Sequence, residues 1–175
     1  MSYARVRALV VVGALAVAAV IFVVVALVRD TQTKPATAEG CPEGWVLANV
    51  RLPEPKEVKL KVFNATNVRG LGAQVSQDFT NRKFQVKGTT NNAKVVDGVA
   101  VLRFGPKAIG AAHLLRAYFL DEADTQYDKA RKDDIVDVVI GTDFQQIGTT
   151  TEVNQSLAAL GNPVLPPGAC AADET

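Results

Sequence analysis

The chain has 175 residues, 48% of them apolar and 21% charged, with 19 Lys and Arg against 18 Asp and Glu. From Cys41 onward the balance is fifteen basic to sixteen acidic residues, which lacks the basic footprint of a nucleic-acid binder. A single histidine, His113, and two cysteines cannot assemble a zinc site of the usual kind within one chain, and nothing in the composition calls for a cofactor.

The apolar residues are unevenly spread. Every position from Ala8 to Val28 is Ala, Val, Leu, Ile or Phe except Gly13. A helix of that length rises about 32 Å, close to the roughly 30 Å of a bilayer's hydrocarbon core, so 8–28 reads as a transmembrane helix. Arg5 and Arg7 precede it, while Arg29 alone follows and is neighboured by Asp30. The positive-inside bias then makes 1–7 the cytoplasmic N-terminus and exports the rest. Two other readings compete with a lasting single span. Ala36-Thr37-Ala38 has the form that signal peptidase cleaves, although the apolar run exceeds a usual h-region. Ala38-Glu39-Gly40-Cys41 loosely imitates a lipidation site, although twelve residues separate the cysteine from the run. Residues 29–57 form a tether and N-terminal extension, the tether rich in Thr, Gln, Lys, Pro and Ala with no apolar period.

Val58 to Phe63 alternates apolar and charged residues, the pattern of a strand with one wet face. After the break at Asn64–Gly70, Leu71, Val75 and Phe79 make the stripe of a short helix. Phe84–Lys87 and Val99–Phe104 read as further strands, with Asn91–Lys94 and Asp97-Gly98 as turn chemistry. Pro106 opens a second helix to about Leu120, with a stripe of Ala108, Ala111, Ala112, Leu115 and Phe119. An acidic loop around Asp121, Glu122 and Asp124 leads to a last strand, Ile135–Ile140. The order strand, helix, strand, strand, helix, strand predicts an α+β, ferredoxin-like βαββαβ sandwich over 58–144, an antiparallel four-stranded sheet with both helices on one face. Residues 145–175 form a C-terminal extension ending near Cys170, with a helix at Glu152–Leu160 capped by Thr151. The tails from Cys41 to Pro55 and from Gly141 to Cys170 are the available covers for the other sheet face.

Cys41 and Cys170 bracket the exported region, where a structural disulfide is expected, with Trp45 and Val46 as apolar covers. The alternative, an electron-exchanging pair, lacks the close spacing and basic neighbours that activate a thiolate. In a ferredoxin-like sheet the start of the first strand and the end of the last emerge at one edge, where both tails could meet.

Catalysis finds little support. His113 lies at the flank of the second helix's stripe, and the serines are only Ser2, Ser76 and Ser156. Asp133, Asp134 and Asp137 cluster in sequence, and Asp137 reads as a charge discouraging pairing at an edge strand. The turn from Asn64 to Gly72 is the one suggestive loop. Asn64, Thr66, Asn67 and Arg69 present polar side chains, and Gly70 a close backbone approach, beside a helix start whose amides can hold an anion, a candidate binding site without the lysine or spacing of a P-loop. The competing reading is a turn that only shapes the fold.

Val58-Lys59-Leu60-Lys61-Val62-Phe63-Asn64-Ala65-Thr66-Asn67-Val68-Arg69-Gly70-Leu71-Gly72 resembles the opening of the LytR C-terminal domain, a strand, then Asn-Gly-Thr-x-x-x-Gly-Leu-Ala, then a helix. Phe84–Val86, Gly105–Ala112 and Val138–Phe144 resemble its second strand, helix and closing strand-Gly-x-Asp-Phe segment. Ala65 and Gly72 depart from the usual Gly and Ala. In many actinobacterial envelope proteins this domain follows a LytR-CpsA-Psr catalytic domain that moves glycopolymers from a lipid pyrophosphate carrier to peptidoglycan, and no segment of this chain fits that domain. The resemblance is to the short actinobacterial cell envelope integrity proteins. It implies a non-catalytic, membrane-anchored extracytoplasmic module that binds a peptidoglycan-linked glycopolymer or a wall-assembly protein; the alternative is a regulatory partner of a LytR-CpsA-Psr ligase.

Overall fold

The computed structural model describes Tyr3, residues 12, 13 and 15–20, residues 41–92 and residues 94–171. The chain divides into two compact units, Met1–Thr37 and Ala38–Thr175. Most of the expected membrane segment 8–28, and the whole of 29–40, lie outside the described residues. Within the segment, residues 12, 13 and 15–20 are helical, and no helix among the described residues is long and apolar enough to cross a membrane.

The second unit contains, in chain order, β1 (Val46–Ala48), a 3-10 turn (Pro55–Glu57), β2 (Lys59–Asn64), α1 (Leu71–Asn81), β3 (Gln85–Asn91), β4 (Ala100–Phe104), a 3-10 turn (Pro106–Ala108), α2 (Ile109–Tyr118), β5 (Ala123–Tyr127), β6 (Ile135–Ile140), α3 (Thr150–Leu160) and β7 (Ala169–Ala171). The class is α+β, as expected. The sheet, however, is mixed and five-stranded in the order β3-β2-β6-β4-β5, which corrects the antiparallel four-stranded ferredoxin-like arrangement. Strands β2 and β3 pair in parallel, as do β4 and β5. Strand β6 enters between the halves, parallel to β2 and antiparallel to β4. In a split unit a third strand separates the parallel pair; here each helix returns the chain to the adjacent position. Alternation fixes which residues face the helices and is identical in both orders, so the pattern alone does not choose between them.

The missing strand was β5, read as an acidic loop. Only Ala123 in it is buried, while Asp124, Thr125 and Gln126 are exposed, so an edge strand polar on both faces carries no alternation. Strand β3 likewise runs to Asn91 instead of stopping at Lys87, because its later residues are all exposed.

Leu60, Val62, Val136, Val138 and Leu102 are fully buried on the face that α1 and α2 cover, with Val75, Phe79, Leu115 and Phe119 from the helical side. The opposite face carries a smaller cluster of Ala65, Val101 and Val139 with Phe63 and Val96 against it. The extensions do not cover that face. Ala48 and Ala169 join the main core, β1 pairs in parallel with β7, and α3 packs on α2. The amide of Asn49 donates to Pro106 O at 2.9 Å and that of Gly110 to Asn49 O at 3.1 Å. Covered on both sides, α2 has no exposed residue.

Cys41 and Cys170 form a disulfide with Cα atoms 6.0 Å apart. The tails meet for a different reason from the one expected. Since β6 runs parallel to β2, the start of one and the end of the other lie at opposite ends of the sheet, and the segment from Gly141 to Gly168, α3 included, carries the chain back. Helix α3 is capped by Thr149, not Thr151: Thr149 Oγ1 accepts from Glu152 N, and the Glu152 carboxylate accepts from Thr149 N at 2.7 Å, a reciprocal capping box.

Packing of the extension leaves no room beside Gly110, where an added Cβ would sit 1.9 Å from Arg51 O, whereas one at Gly88 would meet nothing. Gly110→Ala is expected to destabilise by about 1–3 kcal/mol, since overpacking must displace backbone. Gly88→Ala should stay within about 0.5 kcal/mol. Equal urea midpoints for the two variants would contradict this packing.

Candidate functional site

The loop between β2 and α1 is built around the buried side chain of Asn64. Its Oδ1 accepts from the backbone N of Thr66 at 3.1 Å and from Thr66 Oγ1 at 2.7 Å, while its Nδ2 donates to Val68 O at 2.8 Å. Thr66 Oγ1 in turn accepts from Val68 N at 3.1 Å. The backbone is fixed as well, through Ala65 N to Ile140 O and Asn92 N to Asn64 O. Two members of the expected site are thus occupied in shaping the turn, which explains an Asn-x-Thr spacing there in physical terms.

Ala65 stands where the resembled pattern has Gly. Its φ is not positive, and its methyl group is buried against Val101 and Val139, so no glycine is needed. Gly72 replaces the usual Ala because a Cβ there would lie 3.1 Å from Asn64 Cβ and 3.2 Å from Thr89 Cγ2. Gly70 does need its freedom: it holds φ +81° and turns the chain into α1.

Asn67, Val68, Arg69 and Gly70 are exposed at the tip of the turn. Helix α1 carries no side-chain cap, and its first internal bond runs from Gln74 N to Gly70 O, so the preceding amides face outward without an internal acceptor. The turn therefore offers exposed amide donors and Arg69 on a rigid base, chemistry suited to an oxygen-rich or anionic group.

The other candidates are held elsewhere. His113 is buried, not a flank residue, and its Nε2 lies 2.9 Å from Gly161 O, beyond the end of α3. A carbonyl only accepts, so Nε2 carries the proton. Burial holds the imidazole below its ordinary pKa of 6.5, and the bond to Gly161 opposes this only in part. Ser76 Oγ bonds Gly72 O at 2.7 Å and lies 2.6 Å from Thr89 Oγ1. Ser156 lines a groove of about 410 Å³ with Leu120, Asp121, Glu152 and Gln155, and His113 is not among the lining residues.

Strand β6 is central, so Asp137 is no edge charge. Arg131 holds it by two bonds of 2.8 and 3.2 Å and also reaches Asp133 Oδ1 at 2.8 Å. Asp134 pairs with Lys59 at 2.7 Å. Sequence reasoning missed Arg131; the signal was an arginine two and six residues before acidic positions at a strand entry. Trp45, expected to cover the disulfide, is 48% exposed.

Asn64→Ala is expected to cost about 1–3 kcal/mol, because it strands Val68 O and both Thr66 donors. The pair Asn67→Ala and Arg69→Ala should stay within about 0.5 kcal/mol, and the comparison in urea distinguishes the two halves of the turn. For His113 the folded pKa lies below the unfolded value, so the unfolded chain binds more protons as pH falls. Its contribution is fully present above pH 6.5 and is lost as pH drops through the window below. Thermal stability should therefore fall as pH drops below 6.5, and His113→Gln should flatten that slope; an unchanged slope in the variant would contradict the assignment.

Residues 57–144, half of the chain, match the family model described as LytR cell envelope-related transcriptional attenuator, the LytR C-terminal domain. Among solved structures the chain is similar to the soluble domain of a conserved hypothetical secreted protein from Mycobacterium marinum, with 25% identity and a TM-score of 0.52 over 66% of this chain and 76% of the other. No curated protein matches it. With the Asn64–Gly70 turn, the helix that follows it and the closing β6 segment all inside the matched span, the chain belongs to the LytR C-terminal domain family.

Proposed function

We propose that this protein is a membrane-anchored, non-catalytic module of the cell envelope that recognises a wall component through the tip of the β2–α1 turn. The observation that carries the reading is the family match over 57–144, a family described as cell envelope-related. The similarity to a secreted protein supports an extracytoplasmic place for the domain. Arg5 and Arg7 ahead of the apolar run 8–28 set the orientation, N-terminus inside and domain outside.

A binding role suits the turn because its two halves differ in duty. Asn64 and Thr66 hold the shape, and Asn67, Arg69 and Gly70 present it. The ligand of first choice is a wall glycopolymer, whose hydroxyl and phosphate oxygens match amide donors and a guanidinium. Catalysis is the weaker reading: the only histidine donates to Gly161 O, and Ser76 is bonded within the core. The near-neutral charge from Cys41 onward argues against direct contact with nucleic acid.

One feature favours the second reading, a regulatory partner of a LytR-CpsA-Psr ligase. Val68, between Asn67 and Arg69, is 58% exposed, and an apolar tip suits a protein surface better than a glycan.

Protease added to intact spheroplasts should remove the domain, and protection would overturn the topology. The folded double variant Asn67→Ala, Arg69→Ala should fail to restore envelope integrity in a deletion strain. Full complementation would remove the turn as the site. In-cell crosslinking from position 67 separates the two readings, polymer in one case and ligase in the other.

A further inference from the structure

We infer that the outward face formed by Leu47 of β1 and Trp45 just before it, beside the disulfide, rests on the lipid surface from which the tether emerges. This rests on the anchored reading above and adds a second membrane contact to it. Along this segment the side chains alternate: Val46 packs on the core and Ala48 is 1% exposed, while Trp45 and Leu47 are 48% and 61% exposed. Leu47 is in register with Cys170 of β7, and registered residues of parallel strands share a face, so the Cys41–Cys170 bridge lies on the same side. The result is a small apolar surface of indole, isobutyl and disulfide sulfur, with exposed Glu43 in the turn between Cys41 and Trp45.

Chain length argues for lipid as its occupant. Only Arg29–Gly40 separates the apolar run from Cys41, and twelve residues span at most about 43 Å. The disulfide holds that end of the chain against the patch itself, so the patch is the part of the domain with the shortest leash. Confinement within such a radius corresponds to an effective concentration in the millimolar range, at which even a weak interfacial preference is populated. Indole is the side chain best suited to that position, with an apolar body and an N–H that reaches water or headgroups.

Trp45 is the only tryptophan, so its fluorescence reports this face alone. The full chain is reconstituted into phosphatidylcholine–phosphatidylglycerol vesicles with and without lipids brominated near the headgroup. The inference expects blue-shifted emission, strong quenching by the brominated lipids and little by iodide, with Leu47→Glu reversing all three. Unquenched, iodide-accessible emission from chain that floats with the vesicles would overturn it and leave the anchor standing. Chain that fails to float would overturn the anchor and this contact with it. Shielding from iodide that is lost on dilution of the chain, without any effect of brominated lipid, would assign the face to a second copy and also overturn it.

Discussion

The two strand–helix–strand halves, β2-α1-β3 and β4-α2-β5, have no ladder between them; β6 supplies it, bonding to β2 on one side and β4 on the other. Val138, Val139 and Ile140 are completely buried, paired with β2 on one edge and β4 on the other, and Val136 is as deeply buried beside β2. Its far end also sets the candidate site, since Ile140 O receives the amide of Ala65 at the base of the turn. Just beyond, a Cβ on Gly141 would lie 2.2 Å from Gly98 O, so the exit of β6 is closed tightly over the loop that follows β3. The last strand of the five-stranded sheet in chain order is therefore the one on which both halves and the turn depend, and its long-range pairing is the slow kind to form.

Elements with a strong local period could be read from the chain. β2 alternates and α1 shows its stripe because each buries one face against one partner, while β6 reads as a strand from its short run of β-branched residues, buried on both faces. Topology could not be read, since face assignment is blind to strand order. Strand β5 was invisible because its pairing uses backbone groups while its side chains stay in water. His113 was misplaced for the opposite reason: α2 is amphipathic toward the sheet, and its second cover comes from α3 and the N-terminal extension, which no period within α2 announces.

The sequence presents the residues of the turn as one group. Burial divides them. Asn64 at 4% exposure and Thr66 satisfy the chain's own donors and acceptors, whereas Asn67 and Arg69 face water. A polar side chain at a strand end is equally consistent with either duty until the bonds are known. Ala65 and Gly72, which depart from the resembled pattern, are each accounted for by a neighbour: a second apolar cluster under one, and the close approach of Asn64 and Thr89 at the other.

The folding unit extends beyond the family segment. Ala48, Ile147, Val153 and Ala169 all lie outside 57–144 and are buried, three of them within the main core. Without the extensions α2 would lose the bond of Gly110 to Asn49 and that of His113 to Gly161. The disulfide spans 129 positions and ties together the two extensions that supply this cover, so its constraint on the unfolded chain, up to about 5 kcal/mol by loop entropy, stabilises α2's outer contacts as well as the β1–β7 pair. A bond of this kind persists in an oxidising setting, and it closes a domain whose second helix is completed by its own tails.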